Sequence, residues 1–266
     1  MTDDRRGGVR SVETAADILA VMAAADGPQN LKSLAAAAGM APAKAHRYLV
    51  SLVRGGLVEQ DPASGRYALG GLALNLGLAA LRRLDVVELA ATALADLGAA
   101  IDETVLLAIW GNRGPVVIRW REASHPVTVN VRVGSVMPLL RSSTGRVFLA
   151  YLPEAATGTM LEAELAAADE SVPDVPRSVA VARSLAAEVR ERGLARVRGQ
   201  MLPGVAALSA PVFQHDGSLQ AVLTVLGPAP AFDVAWTGAN AAALTAAAQA
   251  LSSRLGYHGG AETGVR

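Results

Sequence analysis

The most suggestive chemistry lies between Gly27 and Val58, where no acidic residue occurs while Lys32, Lys44, Arg47 and Arg54 all do. The spacing there is as informative as the charge: Ala35, Gly39 four residues on, then Ala45 and Tyr48. Two short helices that cross closely need a small residue at the crossing. They also need a glycine where the turn takes a positive φ, and apolar residues on the inner face of the second helix. The outward face would then present Ala43, Lys44, His46, Arg47 and Arg54, a donor-rich set that suits phosphate oxygens and guanine edges in a DNA major groove. Lys32 before it and Arg66 after it are placed, with Arg54, for salt-dependent phosphate contacts. The other use of such helices, a scaffold for protein contacts, gives no reason for the acid-free island.

The elements that must hold these residues follow from periodicity and breakers. An apolar helical period runs from Ser11 to Ala25 and closes at Asp26-Gly27-Pro28; a second helix spans Leu31 to Ala38; a third starts at Pro42 and runs to Arg54 before Gly55-Gly56. Leu57 to Gln60 and Arg66 to Leu69, around Asp61-Pro62-Ala63-Ser64-Gly65, read as a small hairpin, a wing beside the helices. From Leu72 to Ile101 the pattern is helical with a break near Leu84-Asp85, so a linker helix and a domain boundary are expected between Gly70 and Leu84.

Beyond that boundary the pattern mixes hairpins with helices. Thr104 to Trp110 and Pro115 to Trp120 flank a turn at Gly111-Asn112-Arg113-Gly114; Val205 to Phe213 and Leu219 to Leu226 flank another at His215-Asp216-Gly217. Further strands are expected at Val127 to Val133 and Leu194 to Arg198, and helices at Ser142 to Tyr151, Ser178 to Arg192 and Asn240 to Leu255. Glu154, Glu162, Glu164, Asp169, Glu170 and Asp174 read as acids compensating the arginine-rich stretch from Thr104 to Pro153. Hairpins in place of regular βαβ units point to an antiparallel sheet with packed helices, an α+β domain. The expected division is 8–69, 70–84 and 85–257.

Composition narrows the function classes. Lys and Arg number 24 against 24 Asp and Glu, so a polyanion would be attracted by local charge only. No apolar run is long enough for a membrane span, there is no cysteine, and MTDDRRGGVR is not followed by an apolar segment, so the cytoplasm is the expected location. His46, His125, His215 and His258 are scattered with no metal-site spacing, and neither G-x-S-x-G, a P-loop nor G-x-G-x-x-G occurs. No catalytic residue, metal or cofactor is expected.

The segment LKSLAAAAGMAPAKAHRYLVSLVRGGLVEQDPASGRYALG resembles the winged helix-turn-helix of the IclR-type bacterial transcriptional regulators. ETVLLAIW, VRVGSVMPLLRSSTGRVFLAYLP, VRERGLA and LPGVAALSAPVFQHDGSLQAVLTVLGP resemble the same family's effector-binding domain, so the likeness covers nearly the whole chain. It implies a GAF-like α+β domain that takes a small molecule, and homodimers or homotetramers acting on a palindromic double-stranded operator. Three departures set this chain apart. Ala41, Pro42, Ala43 and Lys44 stand where many relatives begin the recognition helix with Pro-Lys-Ser-Thr. Val197 to Gln200 carries no acid where relatives often have one, and Thr224 and Leu226 replace two serines found in relatives that bind short keto acids.

The resemblance therefore implies a pocket more apolar than in those relatives, lined by Met137, Leu139, Val197, Ala207 and Leu226, with Ser142, Thr144, Gly145 and Thr224 supplying polar anchors. Such walls suit a small aromatic or otherwise apolar organic acid whose carboxylate sits at the helix start near Ser142 to Gly145. The expected function is a ligand-responsive, sequence-specific DNA-binding regulator, of a catabolic operon, with no catalysed reaction. The alternative from another class is a small-molecule-processing enzyme whose winged helix serves protein contacts.

Overall fold

Helix α1 (Arg10–Ala23) lays Ile18 and Met22 into a small core, and α2 (Leu31–Ala37) is short enough to depend on its cap. Asn30 Oδ1 accepts the Ser33 amide at 2.9 Å, replacing one of the bonds that a helix start lacks. Gly39, at φ +62°, makes the turn that sends the chain into α3 (Pro42–Arg54), whose first position is proline. Strands β1 (Val58–Gln60) and β2 (Tyr67–Leu69) pair antiparallel, Val58 opposite Leu69, and Gln29 exchanges two backbone bonds with Tyr67 on the hairpin's other side. Ile18, Leu34, Leu49, Val58 and Tyr67 fill the space between these elements. Helix α4 (Gly71–Leu81) follows.

This computed structural model describes residues 8–81, 85–125, 129–168, 172–257 and 259. The chain divides into two compact units, Met1–Leu84 and Asp85–Arg266. In the second, α5 (Val86–Ile101) leads into β3 (Thr104–Gly111) and β4 (Gly114–Arg121), followed by α6 (Ser143–Tyr151), α7 (Glu154–Ala166) and α8 (Val179–Arg192). Then come β5 (Ala195–Arg198), β6 (Val205–Phe213), β7 (Leu219–Pro228) and α9 (Ala239–Arg254). The five strands form one antiparallel sheet in the order β4-β3-β7-β6-β5. Side chains alternate along each strand: Val105 and Leu107 pack with α5 and α9, Leu106 and Ala108 with α6 and α8. The unit is α+β, as the hairpin-rich sequence indicates.

Two expectations are corrected. Of the strand expected over Val127 to Val133, residues 127 and 128 lie outside the described residues and 129–133 form no strand. The chain instead crosses the edge of β4 in a turn at Gly134 (φ +90°), touching it through Gly134 N to Val117 O at 2.7 Å and a bridge between Val116 and Val136. The acids after Pro153 do more than compensate charge: Glu164 accepts the Leu139 and Leu140 amides and Glu154 pairs with Arg183 at 2.9 Å, both from α7. Its apolar residues make no continuous stripe and only Thr157 and Leu161 are buried, so periodicity alone passes over it.

Helix α6 runs unusually close to the segment before it. A Cβ on Gly145 would lie 2.0 Å from Pro138 O and 2.6 Å from Leu139 Cα, both rigid backbone. Gly145→Ala is expected to destabilise the protein by about 1–3 kcal/mol or more through overpacking. Gly77→Ala, with nothing within 4 Å on the surface of α4, should stabilise by roughly 0.5–1 kcal/mol. Urea unfolding followed by circular dichroism measures both; equal effects would show that the approach at Gly145 is not a tight one.

Candidate nucleic-acid interface and ligand cavity

In α3 the buried residues are Ala45, Leu49 and Leu52, which leaves Ala43, Lys44, His46, Arg47 and Arg54 exposed together with Ser51. Ala35 and Ala45, each 1% exposed, lie within the α2–α3 packing, where larger side chains would force the helices apart. Among the described residues, the side chains of Lys44, His46, Arg47 and Arg54 make no hydrogen bond or ion pair, so these donors are open to an external acceptor. Lys32 is exposed on α2. Arg66 is exposed too, but one of its nitrogens donates to Pro28 O at 3.2 Å and ties the hairpin to the loop before α2. At the hairpin tip Asp61 accepts from the Ser64 hydroxyl and the amides of Ala63 and Ser64, which holds its pKa below the ordinary carboxylate value.

In the second unit, seven of the nine expected pocket residues surround one cavity of about 30 Å³: Met137, Ser142, Thr144, Val197, Ala207, Thr224 and Leu226. Leu139 and Gly145 do not line it. Leu139 is fully buried with its amide given to Glu164, and Gly145 is pressed against the Pro138–Leu139 backbone. Leu106, Val129, Val131, Met201, Leu202 and Val205 complete an almost wholly apolar wall. The space is enough for about one water.

The polar side of this cavity is an ordered chain of hydroxyls. Ser209 Oγ donates to Ser143 Oγ at 2.8 Å, so its one proton is spent and it accepts from Thr224 at 2.7 Å; Thr224 in turn accepts from Thr144 at 2.8 Å. The proton order Thr144 to Thr224 to Ser209 to Ser143 leaves the Ser143 hydroxyl as the donor with a proton to give. At the same helix start Gly145 N is taken by Ser142 Oγ at 2.8 Å, while the amides of Ser143 and Thr144 have no partner among the described residues. One hydroxyl and two amides, at the positive end of α6, can therefore receive an anionic oxygen. Ser143 and Ser209 were not legible from the sequence; Ser209 is placed by its cross-strand register with Thr224, which an irregularity between Val212 and Phe213 sets.

Beside the cavity, Arg146 is 6% exposed and, among the described residues, its guanidinium bonds to main-chain carbonyls alone, those of Leu140 and Arg196 at 2.8 Å and Asp174 at 3.2 Å. Burial pulls its pKa down to about 10, still a cation at neutral pH. Replacing Thr224 by Val keeps the volume but leaves Ser209 and Thr144 each short of a buried partner. A loss of about 1–3 kcal/mol follows, read as a lower urea midpoint; an unchanged midpoint would mean water takes over both bonds.

Comparison with known proteins agrees with both halves of this geometry. The family described as bacterial transcriptional regulator IclR C-terminal matches residues 78–253, and the IclR helix-turn-helix domain matches residues 11–62. The glycerol operon regulatory protein of Streptomyces griseus is 34% identical over 264 residues, covering 93% of this chain and 97% of that protein. The crystal structure of Pseudomonas aeruginosa HmgR is similar at a TM-score of 0.84 and 45% identity, over 95% of this chain and 100% of that one. An IclR homolog from Microbacterium hydrocarbonoxydans, crystallised with 4-hydroxybenzoate, shares the fold at a TM-score of 0.53 and 20% identity, over 92% of this chain and 98% of that one. Matched in both its helix-turn-helix and its α+β unit, the chain belongs to the IclR family of bacterial transcriptional regulators.

Proposed function

We propose that this regulator binds a palindromic double-stranded operator as a homodimer or homotetramer in the cytoplasm and is switched by a small, aromatic or otherwise apolar organic acid, governing a catabolic operon. The observation that carries the DNA half is the exposed face of α3, where Lys44, His46 and Arg47 have donors without internal partners and no acid beside them. These three read base edges with Ala43 alongside, while Lys32, Arg54 and Arg66 hold phosphates. The working division is residues 8–69 for DNA, 70–84 for the linker and 85–257 for the effector.

The effector half rests on the helix start of α6. Apolar walls with the Ser143 hydroxyl and the amides of Ser143 and Thr144 at one end match an acid that is apolar except for its carboxylate. The 4-hydroxybenzoate held by the Microbacterium homolog is an acid of that kind. Entry requires the segments that carry Val129, Val131, Met201 and Leu202 to move outward, since the cavity of about 30 Å³ is smaller than any such acid. No reaction is assigned. The cavity lining contains no carboxylate or imidazole to serve as a general base for its serines, which favours a binding site over an enzyme. The acid acts only through a difference in affinity between the DNA-competent and incompetent arrangements.

The test is a footprint of the purified protein on the DNA flanking its own gene, over a salt series, with benzoates, phenylacetates and glyoxylate-type acids. A protected palindrome whose affinity shifts with one aromatic acid is expected; a response to the short keto acids only would overturn the apolar pocket. Arg47→Ala should weaken specific binding by about 1–3 kcal/mol without changing acid affinity by calorimetry. Equal loss of both would make Arg47 structural. Lys32→Ala should weaken all sequences alike and reduce the salt slope by about one.

A further inference from the structure

A second recess lies along the exposed edge of β5, of about 620 Å³ and within the range of small-molecule pockets. Arg146, Arg196, Arg198 and Gln200 line it with Asp174 and Asp233. The buried Arg146 guanidinium donates to neutral main-chain carbonyls and makes no contact ion pair among the described residues, so its desolvated charge is offset only at longer range, by Asp174 and Glu188. The guanidinium of Arg198 has no bonding partner among the described residues, and Arg196 rests its own 4.3 Å over the Trp236 ring. Gln200 is 8% exposed; its Oε1 accepts the Arg198 amide, leaving its Nε2 donors unpaired among the described residues. The two carboxylates are solvent-exposed and Asp233 is engaged by the Ala235 amide at 2.8 Å. Donors exceed acceptors, and the least solvated cation faces the recess.

We propose that this recess is a second small-molecule site, for a ligand bearing a carboxylate or phosphate group, and that its occupancy controls the cover of the hydroxyl-lined cavity. Bidentate acceptance from Arg198, with Gln200 and the Arg146 charge behind it, is the recognition chemistry. The coupling is geometric. Val197 lines both spaces, Arg198 and Gln200 belong to the recess, and Met201 and Leu202 belong to the wall of the small cavity. An anion that holds Arg198 and Gln200 therefore restrains the turn that must open for entry. This goes beyond the acid-sensing role and does not depend on which acid fills the first cavity.

The probes are inorganic phosphate and succinate, titrated into the full-length protein by calorimetry at constant ionic strength. Saturable binding of one or both is expected, phosphate alone marking a phosphorylated ligand and succinate alone a carboxylate. Arg198→Ala should weaken it by about tenfold or more, while Arg113→Ala, an exposed turn arginine of the same unit, should leave it unchanged. No saturable binding of either anion, or equal affinity in wild type and Arg198→Ala, overturns the site. Ala207→Leu fills the small cavity and keeps the recess; a loss of binding there but not in Arg198→Ala would put the anion in the first cavity and also overturn it. Amide exchange over residues 199–204 should slow when the anion binds, and unchanged exchange would overturn the coupling.

Discussion

The second unit depends on one close approach: Gly145, in the first turn of α6, lies against the backbone of Pro138 and Leu139 with no room for a Cβ. That contact is held from both sides. Glu164 on α7 accepts the amides of Leu139 and Leu140, and Ser142 both donates to Pro138 O at 2.6 Å and caps Gly145. Because the helix start is pinned there, Ser143 and Thr144 reach Ser209 and Thr224 in the middle of the sheet. The four hydroxyls pair with one another there without a charge, which lowers the cost of burying them, and only the Ser143 proton and the amides of Ser143 and Thr144 are left over.

The same constraint creates the receptive character of the cavity. Hydroxyls donating in one direction leave one proton at the end of the line, next to two free helical amides, with apolar walls on the remaining sides. A ligand oxygen at that point completes a network instead of breaking one. Arg146, the residue after Gly145 on α6, supplies a buried positive charge to the opposite recess, so one helix borders two spaces separated by β5 and the turn after it. In the first unit the arrangement is inverted: α3 buries its small and apolar residues and, among the described residues, leaves the side-chain donors of Lys44, His46, Arg47 and Arg54 unspent, as a surface that reads another molecule must.

Much of this was legible in the residues. The α2–turn–α3 arrangement follows from Gly39 and Pro42, each of which acts locally, and the exposed face of α3 follows from its period. The strands of both large hairpins follow from their alternation and turn residues. Helix α7 did not, because its apolar residues are few and scattered, and neither did the irregular path over 129–137, where a Val-rich alternation satisfies its backbone across the edge of β4 in a turn.

The chemistry of the cavity marks the limit most clearly. Counted straight back from the turn, with Phe213 opposite Leu219, Ser209 would face Leu223; an irregularity at Val212 and Phe213 shifts the register so that it faces Thr224 instead. A bulge inverts which side chains share a face, and nothing in the local sequence announces it. The sequence by itself determined most of the elements, α7 and the path over 129–137 excepted, together with the charge of α3 and the family to which the chain is similar, because caps, breakers and periodicity act over a few residues. Only the tertiary structure decided that Ser143 and Ser209 join Thr144 and Thr224, that Gly145 and Leu139 stay out of the cavity, and that Arg146 is buried against main-chain carbonyls. Those outcomes depend on contacts between residues distant in the chain, where register and close packing, not residue type, select the partner.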